Sequence, residues 1–235
     1  MAVVQGDRST LESGLRNGLT QLSLSLDDVK VNALLDYLAL VGKWTQVYNL
    51  TAVRDPQDML THHLLDCLAL VPALQRHLDT ADAQQQGLDV LDVGAGAGLP
   101  GVVIAICFPQ LRVSCVDTVA KKAAFVQQVA VTLRLPNLKG VHARVEKLTQ
   151  RYDLVTSRAF ASLADFTQWS RGCLAETGVW LAMKGKHPDQ ELAQLASDID
   201  VFHVEQIDVP GLDADRCLLW ICLLYTSDAA DDSLR

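Results

Sequence analysis

No run of 18 or more apolar residues interrupts the 235-residue chain, so nothing in it reads as a membrane-spanning helix. The opening stretch "MAVVQGDRSTLE" has no basic-then-apolar layout and does not read as a signal peptide, which makes a cytoplasmic location the expectation. Six cysteines, at 67, 107, 115, 173, 217 and 222, form no CxxC pair and no Cys/His cluster with zinc-ligand spacing. They are expected as buried thiols rather than disulfides or metal ligands. His62 and His63 are neighbours, and adjacent side chains on a helix point about 100° apart, so they are not expected to share a metal. A positive charge excess is also missing: 28 acidic residues outnumber 20 basic ones, which by itself argues against a nucleic-acid partner. No internal repeat is visible.

Charge distribution qualifies that last exclusion. Between Lys121 and Arg158 eight basic residues (Lys121, Lys122, Arg134, Lys139, Arg144, Lys147, Arg151, Arg158) face only two acids, Glu146 and Asp153. A phosphate backbone responds to such a local patch within about a Debye length rather than to net charge. The spacing alone also fits an ordinary solvated surface. With 49% hydrophobic residues the chain can bury a sizeable core.

Along the chain, "LSLDDVKVNALLDYLALVGKWTQVYNL" places Leu34, Leu38, Val41, Trp44 and Tyr48 on one apolar helical stripe, with Ser25 and Asp28 at capping-box spacing. A second helix is expected from "DPQDML", capped by Asp55 with Pro56 at its first position, to about Val71 before Pro72. These helices make an N-terminal helical subdomain (1–80), and "DTADAQQQG" reads as a linker. From Leu88 the pattern becomes α/β. Strand-like "LDVLDV", "RVSCVD", "LKGVHA", "YDLVTS" and "GVWLAMK" alternate with helical segments at 100–108, 120–134 and 162–175, the last capped by Ser162 and Asp165. That alternation predicts a mostly parallel sheet over 81–224. "VFHVEQIDV" and "DADRCLLWICLL" have no helix between them and predict an antiparallel hairpin ending it. The tail 225–235, "YTSDAADDSLR", lacks apolar periodicity and reads as disordered or non-native.

The most informative stretch is "LDVGAGAGLPG", 91–101. "GAGLPG" from Gly96 fits the dinucleotide fingerprint, whereas "DVGAGAG" fits better the point where the strand runs into Gly94. Asp117 ends the second strand, 23 residues beyond Gly94, where a carboxylate can accept from ribose hydroxyls. Either nucleotide reading wants that acid. Asp92 is expected to discriminate: at the mouth of the loop it would oppose a pyrophosphate and tolerate S-adenosylmethionine, which has no phosphate and carries a sulfonium and an ammonium. The alternative for Asp92 is a brace for the turn.

"WTQVYNLTAVRDPQDMLTHHLLD", "LDVGAGAGLPG", "ARVEKL" and "SRAFASL", in this order, resemble the bacterial small-subunit (16S) ribosomal RNA guanine-N7 methyltransferases, also called glucose-inhibited division protein B, over about 34–216. The resemblance implies a seven-stranded Rossmann-like methyltransferase sheet behind a helical cap, S-adenosyl-L-methionine as cosubstrate, and N7 of one guanine in a small-subunit rRNA hairpin loop as acceptor. It assigns Gly94 and Leu99 to the cosubstrate, with Gly96 and Gly98 of the same loop. Val145 and Glu146 would flank adenine, Asp117 would take the ribose, and Arg158 would stand beside the transfer site. For Arg158 the plainer alternative is a strand-end salt bridge. After Arg216 this chain departs from the family pattern, continuing "CLLWICLL" and then an acidic tail.

N7 of guanine has an in-plane lone pair and no proton, so direct displacement at the methyl needs no general base. "TSRAF" accordingly carries neither the Asn-Pro-Pro-Tyr of amino methylators nor the Pro-Cys of carbon methylators. Arg158 is the candidate donor to guanine O6. Lys121, Lys122, Arg144 and Lys147 are candidates for phosphate contacts, and Asn49, Arg54 and His63 for the RNA side of the helical cap. The partner expected from the resemblance is small-subunit rRNA or the assembled subunit, met by a monomer without metal or membrane. The rival readings are a small-molecule methyltransferase, a non-catalytic nucleotide- or RNA-binding module, and an NAD-dependent reductase.

Overall fold

The computed structural model describes residues 3–80 and 87–224. Seven strands form one sheet in the order β3-β2-β1-β4-β5-β7-β6. They are β1 (Asp89–Val93), β2 (Arg112–Asp117), β3 (Leu138–His142), β4 (Tyr152–Arg158), β5 (Leu174–Lys184), β6 (Ile199–Gln206) and β7 (Cys217–Leu223). Pairings among β1 to β5 are parallel, and β7 runs antiparallel between β5 and β6. The expected hairpin is present, but its second strand is the one inserted next to β5. β7 is the more apolar of the two, and the inner position buries Cys217–Ile221 completely or nearly so.

Side chains alternate between two apolar clusters with the two-residue period of a strand. Val90, Val113, Leu154 and Leu181 join the cluster shared with the N-terminal helices. Leu91, Val116, Val155 and Trp180 join the other. Covering on both faces accounts for strands that read as nearly continuous apolar runs. Helices α6 (Gly101–Cys107) and α7 (Ala120–Thr132) carry the chain from β1 outward to β3, while α8 (Leu163–Ser170) carries it from β4 the other way. The direction of winding therefore reverses between β1 and β4, and in such sheets ligands lie outside the carboxyl ends of the strands at that reversal.

The N-terminal layer departs most from expectation. Helix α1 (Val3–Gln21) has no clear signal in the sequence, since its glycines and short polar residues are poor helix formers. Its packing explains it: Gly18 lies so close to Leu65 that an added Cβ would sit 2.5 Å from Leu65 Cδ2. Helix α2 (Asp28–Tyr48) is capped by Asp27, whose Oδ1 accepts from the Lys30 N–H at 2.8 Å, rather than by Ser25. Asp55 caps α3 (Pro56–Met59), with Pro56 in its first turn, as expected. The chain then passes through a π-helical turn (Leu60–Leu65) into α4 (Asp66–Leu68). Pro72 does not end a helix but opens α5 (Val71–Thr80), because a proline in a first turn forfeits no helical hydrogen bond. Ser162 caps α8, accepting from the Asp165 N–H at 3.1 Å, but the helix stops at Ser170 and Leu174 already belongs to β5. Most of the expected linker (81–86) and the tail (225–235) lie outside the described residues.

Gly140 in β3 faces the backbone of α7, where an added Cβ would collide with the Ala123 carbonyl oxygen. Backbone cannot move aside as a side-chain tip can. Gly140→Ala is therefore expected to destabilise the fold by about 2 kcal/mol or more in urea titration; an unchanged midpoint would contradict this packing.

Candidate active site

The glycine loop leaves β1 at Val93 and turns at once through Gly94, Gly96 and Gly98, with φ of 67°, 57° and 86°. This is the "DVGAGAG" register. The left-handed backbone needed at these positions favours glycine. Neighbouring elements pin the turn. The Gly94 and Ala95 N–H groups donate to the Val116 carbonyl at 3.0 and 3.1 Å, and the Tyr37 hydroxyl donates to the Ala97 carbonyl at 2.7 Å. Asp117 accepts from the Gly96 N–H at 3.0 Å and the Val119 N–H at 2.8 Å. Two cavities meet at Gly94. One of about 170 Å³ is lined by Leu50, Thr51, His63, the Gly94–Ala97 backbone, Leu99 and Arg158. The other, of about 550 Å³, is lined by Asp117, Lys122, Arg144, Val145, Glu146, Phe160 and Trp169 among others.

Asp92 requires a correction. It does not stand at the mouth and lines neither cavity. Sharing the phase of Val90, it points toward α6 and is fully buried, with Oδ2 accepting from the Gly101 N–H at 2.8 Å. Among the described residues its other oxygen has no hydrogen-bond partner. Burial pushes its pKa up to about 7, against the downward pull of the Gly101 N–H and Arg158. The carboxylate is thus a brace for the turn and not a charge at the mouth of the loop. Its location carries a different consequence. A dinucleotide fold seats pyrophosphate on the N–H groups that open the helix after the glycine loop, and here Gly101, the first residue of α6, already gives its N–H to Asp92.

Gly98 also lines neither cavity; an added Cβ there would sit 2.5 Å from Val102 Cγ2, so this glycine serves loop-to-helix packing. Gly94, Gly96 and Leu99 do line the smaller cavity, and Asp117, Val145 and Glu146 the larger.

Arg158 ends β4, across the sheet reversal from the glycine loop. Its Nη1 donates to the His62 carbonyl at 2.9 Å and to Asp66 Oδ2 at 2.8 Å. Asp66 Oδ1 in turn accepts from Arg216 Nε at 2.8 Å. The strand-end salt bridge is therefore real, and it coexists with exposure to the cavity. His63 has Nε2 at 2.9 Å from Thr51 Oγ1. Burial, then the positive charge of Arg158, holds its pKa below the usual histidine range, so it is neutral at physiological pH.

The basic segment divides. Lys121 and Lys122 follow β2, Arg144 and Lys147 follow β3, and Arg158 ends β4, so these five stand at the carboxyl end of the sheet with the cavities. Lys139, Arg151 and Arg134 lie toward the opposite end, where Lys139 donates to Gln150 and Arg151 to the Leu174 carbonyl. Lys122 and Arg144 line the larger cavity itself, and Lys121 sits 5.3 Å over the Tyr48 ring. Asn49 and Arg54 are exposed and bonded to each other at 2.6 Å. A separate apolar cavity of about 790 Å³ lies between α1, α2 and α3, away from the glycine loop.

Sequence reasoning missed Phe160, Trp169, Thr51, Asp66 and Arg216. Asp66 did leave a trace: a lone acid inside the apolar "LLDCLALV" must be paired if it is buried. Phe160 lies between Ala159 and Ala161, both with positive φ, a strain that only the folded loop reveals.

Comparison with known proteins agrees with this arrangement. The family model described as GidB, rRNA small subunit methyltransferase G, matches residues 30–219. A ribosomal RNA small subunit methyltransferase G of Polaromonas naphthalenivorans (strain CJ2) is 64% identical over 211 residues, covering 90% of this chain and 95% of its own. The protein of the same name from Acidovorax ebreus (strain TPSY) is 61% identical over 224 residues, covering 94% and 98%. Among solved structures, a SAM-dependent methyltransferase from Aquifex aeolicus has a TM-score of 0.51 at 15% identity, covering 71% of this chain and 93% of that one. TrmN from Thermus thermophilus has a TM-score of 0.51 at 16% identity, covering 70% and 53%. The two structures share the Rossmann-like methyltransferase fold. With the family match spanning both cavities and the relatives aligned over nearly their whole length, this chain belongs to the GidB family, rRNA small subunit methyltransferase G.

Proposed function

We propose that this chain methylates N7 of a guanine in small-subunit rRNA, with S-adenosylmethionine as donor, and that the two cavities meeting at Gly94 divide the work. The observation that carries the reading is the pairing, at the sheet reversal, of a glycine loop whose first helical N–H is already given to Asp92 with an arginine-lined cavity. When bound, S-adenosylmethionine supplies an electrophilic methyl group on a sulfonium. The residues present fit it. Asp117 keeps acceptor capacity for ribose hydroxyls beyond its two backbone bonds. Val145 offers an apolar wall with Glu146 beside it, and Gly94, Gly96 and Leu99 line the smaller cavity.

The chain's own contribution is alignment and exclusion of water, because N7 has no proton to lose. Arg158 uses Nη1 for His62 and Asp66, and among the described residues its Nε and Nη2 have no protein partner. A guanidinium so held can donate to guanine O6. A hairpin-loop guanine is unstacked at lower cost than a paired one, which suits a cavity that must admit a whole base. Lys121, Lys122, Arg144 and Lys147 would meet the RNA backbone, joined by Asn49 and Arg54 of the helical cap, although Arg54 lines the separate apolar cavity, and neutral His63 would stand at the junction. Asp92 and Gly98 act indirectly, by shaping the loop.

The direct test incubates the protein with purified small subunits and methyl-labelled donor, then maps the label by N7-specific strand cleavage. Label on N7 of a guanine is expected; label in no RNA would transfer the chain to a small-molecule methyltransferase reading. Arg158→Ala should lower turnover by about 100-fold while S-adenosylhomocysteine affinity changes less than threefold in calorimetry. Unchanged turnover would remove Arg158 from the transfer step. For Asp92, a folded pKa raised to about 7 means the native state holds a proton the unfolded state has released. Stability relative to Asp92→Asn should therefore be greatest near pH 4, fall by roughly 1.4 kcal/mol for each pH step of one up to about pH 7, and level off above. A pH-independent difference in melting temperature would contradict the buried, unsatisfied carboxylate.

A further inference from the structure

Asp66 is the first residue after the π-helical turn Leu60–Leu65, a type of turn that recurs at functional sites. Its side chain is 3% exposed, and its two oxygens are divided between two cations. Oδ2 accepts from Arg158 Nη1 at 2.8 Å and Oδ1 from Arg216 Nε at 2.8 Å. The guanidinium groups come from separate elements, Arg158 from the end of β4 and Arg216 from the residue before β7, and their side chains are 20% and 24% exposed. The His62 carbonyl, from the π-helical turn itself, takes a second bond from Arg158 Nη1 at 2.9 Å.

A carboxylate this dry is worth little as a stabilising ion pair, since desolvation cancels much of the attraction. What it does supply is direction. Two fixed acceptors on one nitrogen set the plane of the Arg158 fork, so the remaining donors stand where the cavity-lining position of Arg158 can use them. We propose that Asp66 is a positioning residue for methyl transfer, orienting Arg158 toward the acceptor base while tying Arg216 to the same point. The proposal rests on the guanine-N7 reading above. Asparagine in its place would turn one oxygen into an N–H donor facing an arginine N–H, releasing one guanidinium.

The test compares wild type, Asp66→Asn, Arg158→Ala and the double variant in single-turnover methylation of small subunits, with S-adenosylhomocysteine affinity measured separately. Asp66→Asn should lower the transfer rate tenfold or more, leave cosubstrate affinity within threefold, and have less than a twofold effect once Arg158 is already alanine. An equal loss in both backgrounds, or a folded Asp66→Asn with wild-type rate, overturns the proposal. If Asp66→Asn does not fold, Asp66→Glu keeps the charge and displaces it by one methylene. It should fold with a similar melting temperature and still lose rate; failure of both to fold marks Asp66 as architectural and also overturns it. Absence of RNA methylation by wild type would instead sink the functional reading.

Discussion

The hydrogen bond from the Gly101 N–H to the buried carboxylate of Asp92 holds the turn between β1 and α6 in the shape on which both cavities depend. An acceptor on a fully buried strand residue ties the start of a helix back to the strand that precedes it. The glycines between them take left-handed backbone, and Gly94 and Gly96 line the smaller cavity. With the carboxyl protonated such a bond is worth about 0.5–1.5 kcal/mol, and ionisation is opposed by burial and by a second oxygen that has no partner among the described residues. The same bond takes one helix-opening N–H that a pyrophosphate would otherwise use.

Around this turn the fold distributes its tasks by end and by face. The N-terminal helices cover one sheet face, send Tyr37 to the Ala97 carbonyl, and bring His62, His63 and Asp66 to the carboxyl ends of the strands. The basic residues that follow β2 and β3 reach the same end by topology alone. Those closer to the strand starts are left at the other end, so a segment of uniform charge in sequence becomes two surfaces in space. An acidic protein can in this way offer a local basic rim to RNA.

Much of this was legible in the sequence. Strand positions follow from apolar runs of five to eight residues bounded by turn residues, Asp55 and Ser162 from cap chemistry, and the Gly94 register from the end of "VLDV". What escaped depends on partners distant along the chain. Helix α1 forms against Leu60 and Leu65 despite its own composition. β7 takes the inner position because "CLLWICLL" is more apolar than "VFHVEQIDV", a difference present in the sequence that the hairpin expectation did not use. The burial of Asp92 was encoded after all, in its shared phase with Val90, but the glycines beside it drew the reading toward solvent. The Asp66–Arg158–Arg216 link joins residues 92 and 150 positions apart, a separation at which a single sequence offers no pairing signal.

Parallel calorimetric titrations with S-adenosylhomocysteine and with NADH test whether the Asp92-held turn excludes a pyrophosphate. A loop whose first helical N–H is held by Asp92 predicts saturable binding of S-adenosylhomocysteine and no measurable heat with NADH. Binding of NADH as tight as that of S-adenosylhomocysteine would contradict it.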